Sequence, residues 1–277
     1  MSIKSYLSQC IRAIMGKPSI HVTADIHTIA PSNQLEGKHI IITGGGRGLG
    51  AAMAKKFIDE GAHVLIAGRN EEVLKTTSST IGCSFLVLDV TKPESFNQFI
   101  IEAERLLGGI DVLVNNAGIS LHEMNFLDVT PEGFSQQVST NLAGPYFLSQ
   151  QYIDYLLSKK KNGNVLFISS ETGETSDFRP YGLSKAAINS LVKGLANMYA
   201  KDGIRVNAIA PGVTASDMTG FVSDGNLYCS FNINKRVYLP EEVAELACYL
   251  LSDAAGCISG QIITCNNAKT VNPRWGK

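Results

Sequence analysis

The sequence predicts an α/β protein, a single doubly wound domain with a parallel seven-stranded sheet and an N-terminal helical extension. From Lys38 onward, short apolar runs rich in β-branched residues alternate with longer amphipathic stretches, as in strands joined by helical crossovers. These runs are nearly continuous in apolar residues, which is typical of strands covered on both faces. No second set of elements is left over for another domain. The seven runs are HIIITG, HVLIAG, SFLVLD, IDVLVNNAG, NVLFISS, RVNAIAPG and GQIITC.

Length and composition fit a folded, soluble protein that acts on small molecules. Of the 277 residues, 44% are hydrophobic and 18% are charged. The net charge of −1 provides no broad basic field, so nucleic acid is not an expected partner. Six scattered cysteines show neither metal-ligand nor disulfide spacing, so we expect no metal site and a reducing compartment, the cytoplasm. No apolar run approaches the roughly 20 residues of a transmembrane helix.

The first residues differ from the rest. Between Met1 and Lys17 there are three basic residues and no acidic one, and the apolar residues repeat with helical period. This pattern predicts one amphipathic helix, followed by a polar linker from His21 to Leu35. A basic amphipathic helix can be an organelle-targeting presequence or a surface anchor. The alternative is a helix that packs on the protein's own body or on a subunit partner.

A glycine-rich turn joins the first predicted strand to the following helix. Strand, turn GGGRGLG and helix AAMAKKFIDEG stand in the order in which such a motif binds a dinucleotide in a Rossmann fold. Gly44 would permit the tight turn, Gly48 the close approach of the backbone to the pyrophosphate, and Gly50 the contact between helix and sheet. The helix N-terminus would attract the phosphates. A plain glycine turn is the structural alternative.

The end of the second strand indicates which dinucleotide binds. An NAD site usually has a carboxylate there for the ribose 2′-hydroxyl, but this chain has Gly68 and Arg69. Arg69 and Arg47 can direct guanidinium groups at a 2′-phosphate, which would favour NADP(H) by about a few kcal/mol. Either arginine alone can equally be a solvated surface residue. Asp89 is placed to accept a hydrogen bond from the adenine amino group, or else it caps a turn.

Tyr181 and Lys185 are four residues apart in YGLSK, at the start of a predicted helix. On a helix they lie on one face, where a nearby ammonium group would lower the phenol pKa from its ordinary value of about 10. Tyr181 can then exchange a proton with a substrate oxygen, and Ser170, at the end of a strand, can hydrogen-bond the same oxygen. By itself a Y-x-x-x-K pattern is common and usually lies on the surface.

Together these motifs resemble the classical short-chain dehydrogenase/reductase family, over about Gly37 to Asn266, and look nearest to 3-oxoacyl-thioester reductases. The motifs that carry the resemblance are TGGGRGLG, Asp89-Val90, NNAG, Asn141 in NLAG, ISSETG, YGLSK and RVNAIAPG. Ser170 fits the family's SxxG better than Ser169 does, because Gly173 follows it by three residues.

The resemblance implies a catalytic tetrad of Asn141, Ser170, Tyr181 and Lys185. It further implies that Asn141 holds a helix irregularity and a relay water, that Lys185 binds the nicotinamide ribose, and that backbone near Thr214 meets the carboxamide. The full set of expected cofactor-binding residues is Gly44, Arg47, Gly48, Leu49, Gly50, Arg69, Asp89, Val90, Asn116, Tyr181, Lys185 and Thr214.

These inferences divide the chain into a helix and linker (1–36), a Rossmann-type binding and catalytic domain (37–267) and a C-terminal tail (268–277). The expected activity is NADP(H)-dependent hydride transfer between nicotinamide and a ketone or secondary alcohol, with a 3-oxoacyl-type or other apolar carbonyl substrate. An NAD-dependent alcohol or hydroxysteroid-type dehydrogenase and a non-catalytic cofactor-binding scaffold are the alternatives. The resemblance also implies a homodimer or homotetramer.

Three features depart from the family pattern. The interval from Ser170 to Tyr181 is shorter by about two residues, CNNAK replaces a frequent Gly-Gly turn after the last strand, and Tyr238 stands where glycine is frequent. The segment from Met218 to Tyr238 is rather apolar and by resemblance folds over the substrate, so it favours an apolar substrate or, alternatively, ordinary packing.

Overall fold

Seven parallel strands form one sheet in the order β3-β2-β1-β4-β5-β6-β7. The computed structural model describes residues 20–24 and 26–271. The amphipathic helix predicted between Met1 and Lys17 lies outside these residues. The strands are β1 (His39–Thr43), β2 (His63–Gly68), β3 (Ser84–Val87), β4 (Val112–Asn115), β5 (Gly163–Ile168), β6 (Ile204–Pro211) and β7 (Ile262–Cys265).

Helices cover both faces of the sheet. The described α-helices are α1 (Gly48–Asp59), α2 (Glu71–Ile81), α3 (Phe96–Leu107), α4 (Pro131–Val138), α5 (Gly144–Lys159), α6 (Pro180–Tyr199) and α7 (Pro240–Leu251). Local sequence sets several of their ends. Asn70 accepts a hydrogen bond from the Val73 amide to cap α2, and Gly82 ends it in the left-handed conformation. Among the described residues, no helix has the length and apolarity to cross a membrane.

The hydrophobic core has two layers, one on each side of the sheet. Along β1, Ile41 packs in the layer formed with α3, α5 and α6, whereas Ile40 and Ile42 pack in the layer formed with α1, α2 and α7. All three side chains are fully buried. Because both faces are covered, the strands need apolar residues at successive positions, which is why they are continuous apolar runs.

The predicted fold class is confirmed, and each of the seven predicted runs coincides with a strand of the sheet to within two residues at its start. Strand order runs outward from β1 to β3 on one side and from β4 to β7 on the other. The connections therefore diverge between β1 and β4, which opens a crevice at the carboxyl ends of these strands. Ligands of doubly wound sheets bind at such a crevice.

The residues before β1 run along the surface of the domain. The Val22 amide donates to Oδ1 of Asn226 and the Val22 carbonyl accepts from the Leu227 amide, each at 2.9 Å. Further along, Leu35 is fully buried in the core. The segment predicted as a polar linker thus contacts the domain at both ends, and the assigned boundary at residue 36 stays a prediction.

A charged cluster anchors this segment to α1. Glu60 is fully buried, and its Oε2 accepts hydrogen bonds from the amides of Ser32 and Gln34. Lys56 Nζ lies 2.8 Å from Glu60 Oε1 and 3.0 Å from Glu245 Oε1. Burial alone would lower the pKa of Lys56, but the two carboxylates raise it above its ordinary value. One cation thus compensates two largely buried carboxylates.

Replacing Lys56 by methionine is expected to destabilise the protein by about 3 kcal/mol, because Glu60 and Glu245 would stay buried without a cation. Denaturant unfolding measures this loss. Lys55 pairs with Asp59 on the exposed side of the same helix, so Lys55→Met is the matched control and should cost less than about 0.5 kcal/mol. Equal losses for the two variants would contradict the prediction.

Candidate active site

One cavity of about 560 Å³ lies along the carboxyl ends of the strands. Asn141 is the sole predicted site residue that does not line it. Sequence reasoning missed other lining residues, among them Gly46, Asn70, Thr91, Ser216 and Asp217. The predicted residues in the lining are Gly44, Arg47, Gly48, Leu49, Gly50, Arg69, Asp89, Val90, Asn116, Ser170, Tyr181, Lys185 and Thr214.

The glycine turn is closely packed against the start of α1. Gly44 and Gly48 have φ angles of 64° and 51°, a region that favours glycine. A Cβ on Gly50 would lie 2.2 Å from the Gly44 carbonyl oxygen. The Asn116 amide also donates to that oxygen at 3.0 Å and to the Thr43 carbonyl at 2.9 Å. Gly50 therefore contacts the backbone of the turn. The sequence predicted that it would contact the sheet instead.

This turn fits a dinucleotide pyrophosphate. Gly48 begins α1, so the free amides of the first helical turn face the cavity at the positive end of the helix. Among the other residues of the turn, a Cβ on Gly46 would lie 3.0 Å from a methyl group of Val73. The absence of side chains leaves the backbone open to close approach by phosphate oxygens.

The two arginines at the expected 2′-phosphate end differ in their surroundings. Arg47 Nη1 lies 2.8 Å from Asp217 Oδ2, and both side chains are mostly exposed. Arg69 forms no ion pair with any residue in the described ranges. Asp217 carries no sequence signal that links it to Arg47, because the contact joins the glycine turn to a distant loop. Of the two cations, Arg69 is thus the one without an acidic ion-pair partner among the described residues.

Asp89 follows β3 and caps a turn. Its Oδ1 accepts hydrogen bonds from the Thr91 amide at 3.0 Å and the Thr91 hydroxyl at 2.7 Å. Burial would raise the pKa of Asp89, but these hydrogen bonds and the nearby Arg69 hold it below its ordinary value. The capping role considered from the sequence is present, and the carboxylate also lines the cavity.

Ser170, Tyr181 and Lys185 lie together at the other end of the cavity. Ser170 follows β5, and its Oγ accepts hydrogen bonds from the Thr172 amide at 3.3 Å and the Thr172 hydroxyl at 3.0 Å. Tyr181 lies on the first turn of α6. One turn later, Lys185 Nζ lies 5.6 Å from the centre of the Tyr181 ring. It donates a 2.8 Å hydrogen bond to the Ile168 carbonyl. The i, i+4 spacing thus brings phenol and amine to one helix face.

The ionisation of this pair differs from the sequence-based expectation. Burial raises the pKa of Tyr181, and it is Ser170 and Arg179, not Lys185, that partly oppose the rise. Burial lowers the pKa of Lys185 to about 8. The expected depression of the phenol pKa by Lys185 is therefore not found, because the crevice desolvates both groups. Arg179 was missed, although it directly precedes α6.

Asn141 lies behind the cavity wall in a π-helical turn, Ser139–Ala143, between α4 and α5. Its amide donates to the Ile119 carbonyl at 2.8 Å, and its Oδ1 accepts from the Ile119 amide at 2.9 Å. Gly118 lies between Asn141 and Lys185, since a Cβ there would be 3.3 Å from Asn141 Oδ1 and 3.6 Å from Lys185 Nζ. Asn141 thus fixes the backbone next to Lys185.

The segment from residue 212 to residue 239, here called the β6–α7 segment, forms the remaining wall. Met218 lines the cavity, and its carbonyl lies 2.9 Å from Nε2 of the exposed His122. Leu227 is buried instead in a small core below the segment. Phe231 is 80% exposed. Within this apolar segment, Leu227 therefore serves ordinary packing, the alternative left open by the sequence, and Phe231 faces solvent.

Comparison with known proteins agrees with this geometry. Residues 44–267 match a family model described as Enoyl-(Acyl carrier protein) reductase. The chain is 31% identical over 255 residues to L-fucose dehydrogenase from Bos taurus, covering 87% of this chain and 93% of that protein. It is 32% identical over 243 residues to a 3-oxoacyl-[acyl-carrier-protein] reductase from Aquifex aeolicus, covering 84% and 97%.

A solved structure shows the same architecture. A short-chain type dehydrogenase/reductase from Mycobacterium marinum aligns with a TM-score of 0.78 at 29% identity, covering 87% of this chain and 98% of that one. The family-model match extends from the glycine turn through the last strand, so it includes both ends of the cavity. The chain therefore belongs to the short-chain dehydrogenase/reductase family, whose members are oxidoreductases that bind a nicotinamide cofactor.

Proposed function

We propose that this protein is an NADP(H)-dependent oxidoreductase that interconverts a ketone and a secondary alcohol, with Tyr181 as the acid/base group. The observation that carries the proposal is that Ser170 and Tyr181, as a pair, line the same cavity as the glycine turn. A cofactor held by its pyrophosphate at this turn would extend along the cavity toward that pair. Lys185 would hold the ribose hydroxyls at that end.

The cofactor, when bound, supplies a hydride to the carbonyl carbon. Ser170 and Tyr181 would both hydrogen-bond the carbonyl oxygen and orient it. As negative charge develops on that oxygen, the Tyr181 hydroxyl donates its proton to it. Because burial raises the pKa of Tyr181, the phenol is protonated at neutral pH and suits the reductive direction. Asn141 holds the backbone that flanks Lys185.

NADP(H) is the proposed cofactor because the 2′ end carries cations and lacks the usual acid. Gly68 closes β2 where an NAD site has a carboxylate, and Arg69 follows it without an ion-pair partner in the described chain. Arg47 lies at the same end but is paired with Asp217. A bound 2′-phosphate would compete with Asp217 for Arg47, so Arg69 is expected to contribute more to cofactor choice.

The proposed substrate is an apolar carbonyl compound, with 3-oxoacyl thioesters as the leading class. Met218 lines the cavity. Phe126, in a short 3-10 helix, and Phe178, just before α6, lie outside the cavity lining. Their rings stack edge to face with centres 6.5 Å apart and are 69% and 42% exposed. Apolar side chains in both places favour a substrate with an apolar chain or ring. The relative from Aquifex aeolicus is named for a 3-oxoacyl substrate.

A substrate panel tests this function. NADPH absorbance is followed with 3-oxoacyl thioesters, steroid ketones, quinones and small diketones. NADH in place of NADPH separates the proposal from an NAD-linked dehydrogenase. Binding of NADPH without turnover of any carbonyl would favour the non-catalytic scaffold instead. The homodimer or homotetramer and the cytoplasmic location remain parts of the proposal, and light scattering tests the first of them.

Replacing Tyr181 by phenylalanine is expected to reduce kcat by at least about 100-fold, because the proton donor is lost. Binding of NADPH, followed by its fluorescence, should persist, since the ring remains. Tyr249→Phe is the matched control, because Tyr249 is exposed on α7 outside the cavity, and its kcat should equal that of the wild type. A fully active Tyr181→Phe variant would refute the assigned role.

Replacing Arg69 by alanine is expected to lower kcat/KM for NADPH by about 10- to 100-fold, because a charge-assisted contact with the 2′-phosphate is lost. The value for NADH should stay unchanged. Lys75→Ala removes the same charge from an exposed site on α2 and is the control. Asp217→Asn should raise NADPH affinity by freeing Arg47. Parallel losses with both cofactors would argue against 2′-phosphate recognition.

A further inference from the structure

A charge pair lies directly behind the serine of the proposed site. Glu171 follows Ser170, and its side chain is only 10% exposed. Lys269 Nζ lies 2.6 Å from Glu171 Oε1, and the Asn266 amide donates to Oε2 at 3.2 Å. Both carboxylate oxygens are thus engaged by residues that follow β7. Burying a carboxylate of this kind is costly unless it is paired and hydrogen-bonded.

Lys269 also contacts the β6–α7 segment. Its Nζ lies 3.4 Å from Oδ1 of Asn232, a buried residue of the β6–α7 segment. The Asn232 amide in turn donates to the Arg236 carbonyl at 2.7 Å. One ammonium group therefore joins three parts of the chain, namely the turn after Ser170, the C-terminal residues and the β6–α7 segment.

The partners of Glu171 are residues at which this chain departs from its family. Asn266 and Lys269 belong to CNNAK, and Lys269 lies beyond the matched range 44–267. Tyr238 is a third departure. Its ring packs on Gly212, where a Cβ would lie 2.7 Å from Tyr238 Cε2, and its hydroxyl is buried without a partner in the described chain. These departures meet at one place behind Ser170.

We propose that Glu171 and Lys269 form a positioning pair, in which Lys269 neutralises the carboxylate beside Tyr181 and fixes the Ser170 turn to the β6–α7 segment. This inference rests on the proposed function, because the charge matters through the proton that Tyr181 donates. Neither residue lines the cavity, so both act through Ser170 and Tyr181. The pair would therefore influence how readily Tyr181 donates its proton, without touching substrate or cofactor.

The charges around Tyr181 give the pair a predictable sign. Beyond burial, Ser170 and Arg179 lower the pKa of Tyr181, whereas the negative charge of Glu171 raises it. Arg179 itself pairs with Asp177 at 2.7 Å and is influenced by Glu123, so it is a partly compensated cation. The Lys185 ammonium group also lies 5.6 Å from the centre of the ring. Removing the Lys269 charge should therefore raise the pKa of Tyr181, and removing the Glu171 charge should lower it.

The test compares four variants with the wild type, namely Lys269→Met, Glu171→Gln, the double variant and Lys269→Arg. The pKa of Tyr181 is read by NMR of protein labelled with ¹³Cζ-tyrosine, with Tyr181→Phe to assign the resonance. The pH profile of NADPH-dependent reduction gives a second readout, since reduction requires the protonated phenol and declines as pH rises through its pKa. Circular dichroism establishes that each variant is folded.

We expect Lys269→Met to move both midpoints up by about half a pH unit and Glu171→Gln to move them down by about as much. The double variant and Lys269→Arg should lie close to the wild type. A structural role alone would not produce opposite shifts. If Lys269→Met is unfolded, or its midpoint exceeds the accessible range, the downward shift of Glu171→Gln carries the test. Shifts of the same sign, or none for Glu171→Gln, would overturn the proposal.

The NMR readout separates this proposal from the proposed function. If the wild type reduces no carbonyl compound, the proposed function fails, yet the resonance of Tyr181 still reports the influence of Glu171 and Lys269. If the enzyme is active and Tyr181→Phe is inactive, but the two single variants show no opposite shifts, the positioning pair fails and the proposed function stands.

Discussion

The contact between Gly50 and the Gly44 carbonyl is the constraint on which the rest of the cavity depends. No side chain fits between them, and the Asn116 amide closes the same space by donating to Gly44 and Thr43. Asn116 follows β4, so this contact ties the end of β1 to the end of β4. The crevice between the two strands is thereby held open at a fixed width next to the first amides of α1.

The chemistry of the other end follows from burial more than from pairing. Tyr181 and Lys185 share a helix face, yet the ammonium group donates its hydrogen bond to the Ile168 carbonyl. Desolvation raises the pKa of Tyr181 and lowers that of Lys185, so it favours the neutral form of each group. A neutral phenol is a proton donor, which is the form that the proposed reduction requires. The position of the phenol is fixed by helix geometry, and its ionisation by what surrounds it.

Much of this could be predicted from the sequence, because the relevant signals are local. Ile40, Ile41 and Ile42 mark a strand buried on both faces, and Gly44 and Gly50 mark a turn that contacts a helix. Contacts between distant parts of the chain could not be predicted. Glu171 and Lys269 are 98 residues apart, and nothing in either local sequence indicates that they meet. Leu227 lies in the apolar segment for which the sequence left substrate contact and ordinary packing open, and only the tertiary structure places it in a core.

The β6–α7 segment is held by contacts from several directions, and some of them come from outside the part of the chain that matches the family model. Asn226 accepts from the Val22 amide, and Asn232 contacts Lys269, whereas the match covers residues 44–267. Met218, by contrast, is held by His122 within the matched range. The β6–α7 segment is therefore held in part by residues before and after the matched range, whereas the glycine turn is held by Asn116 within it. A fold shared with many relatives can in this way keep one cofactor site and vary the pocket beside it.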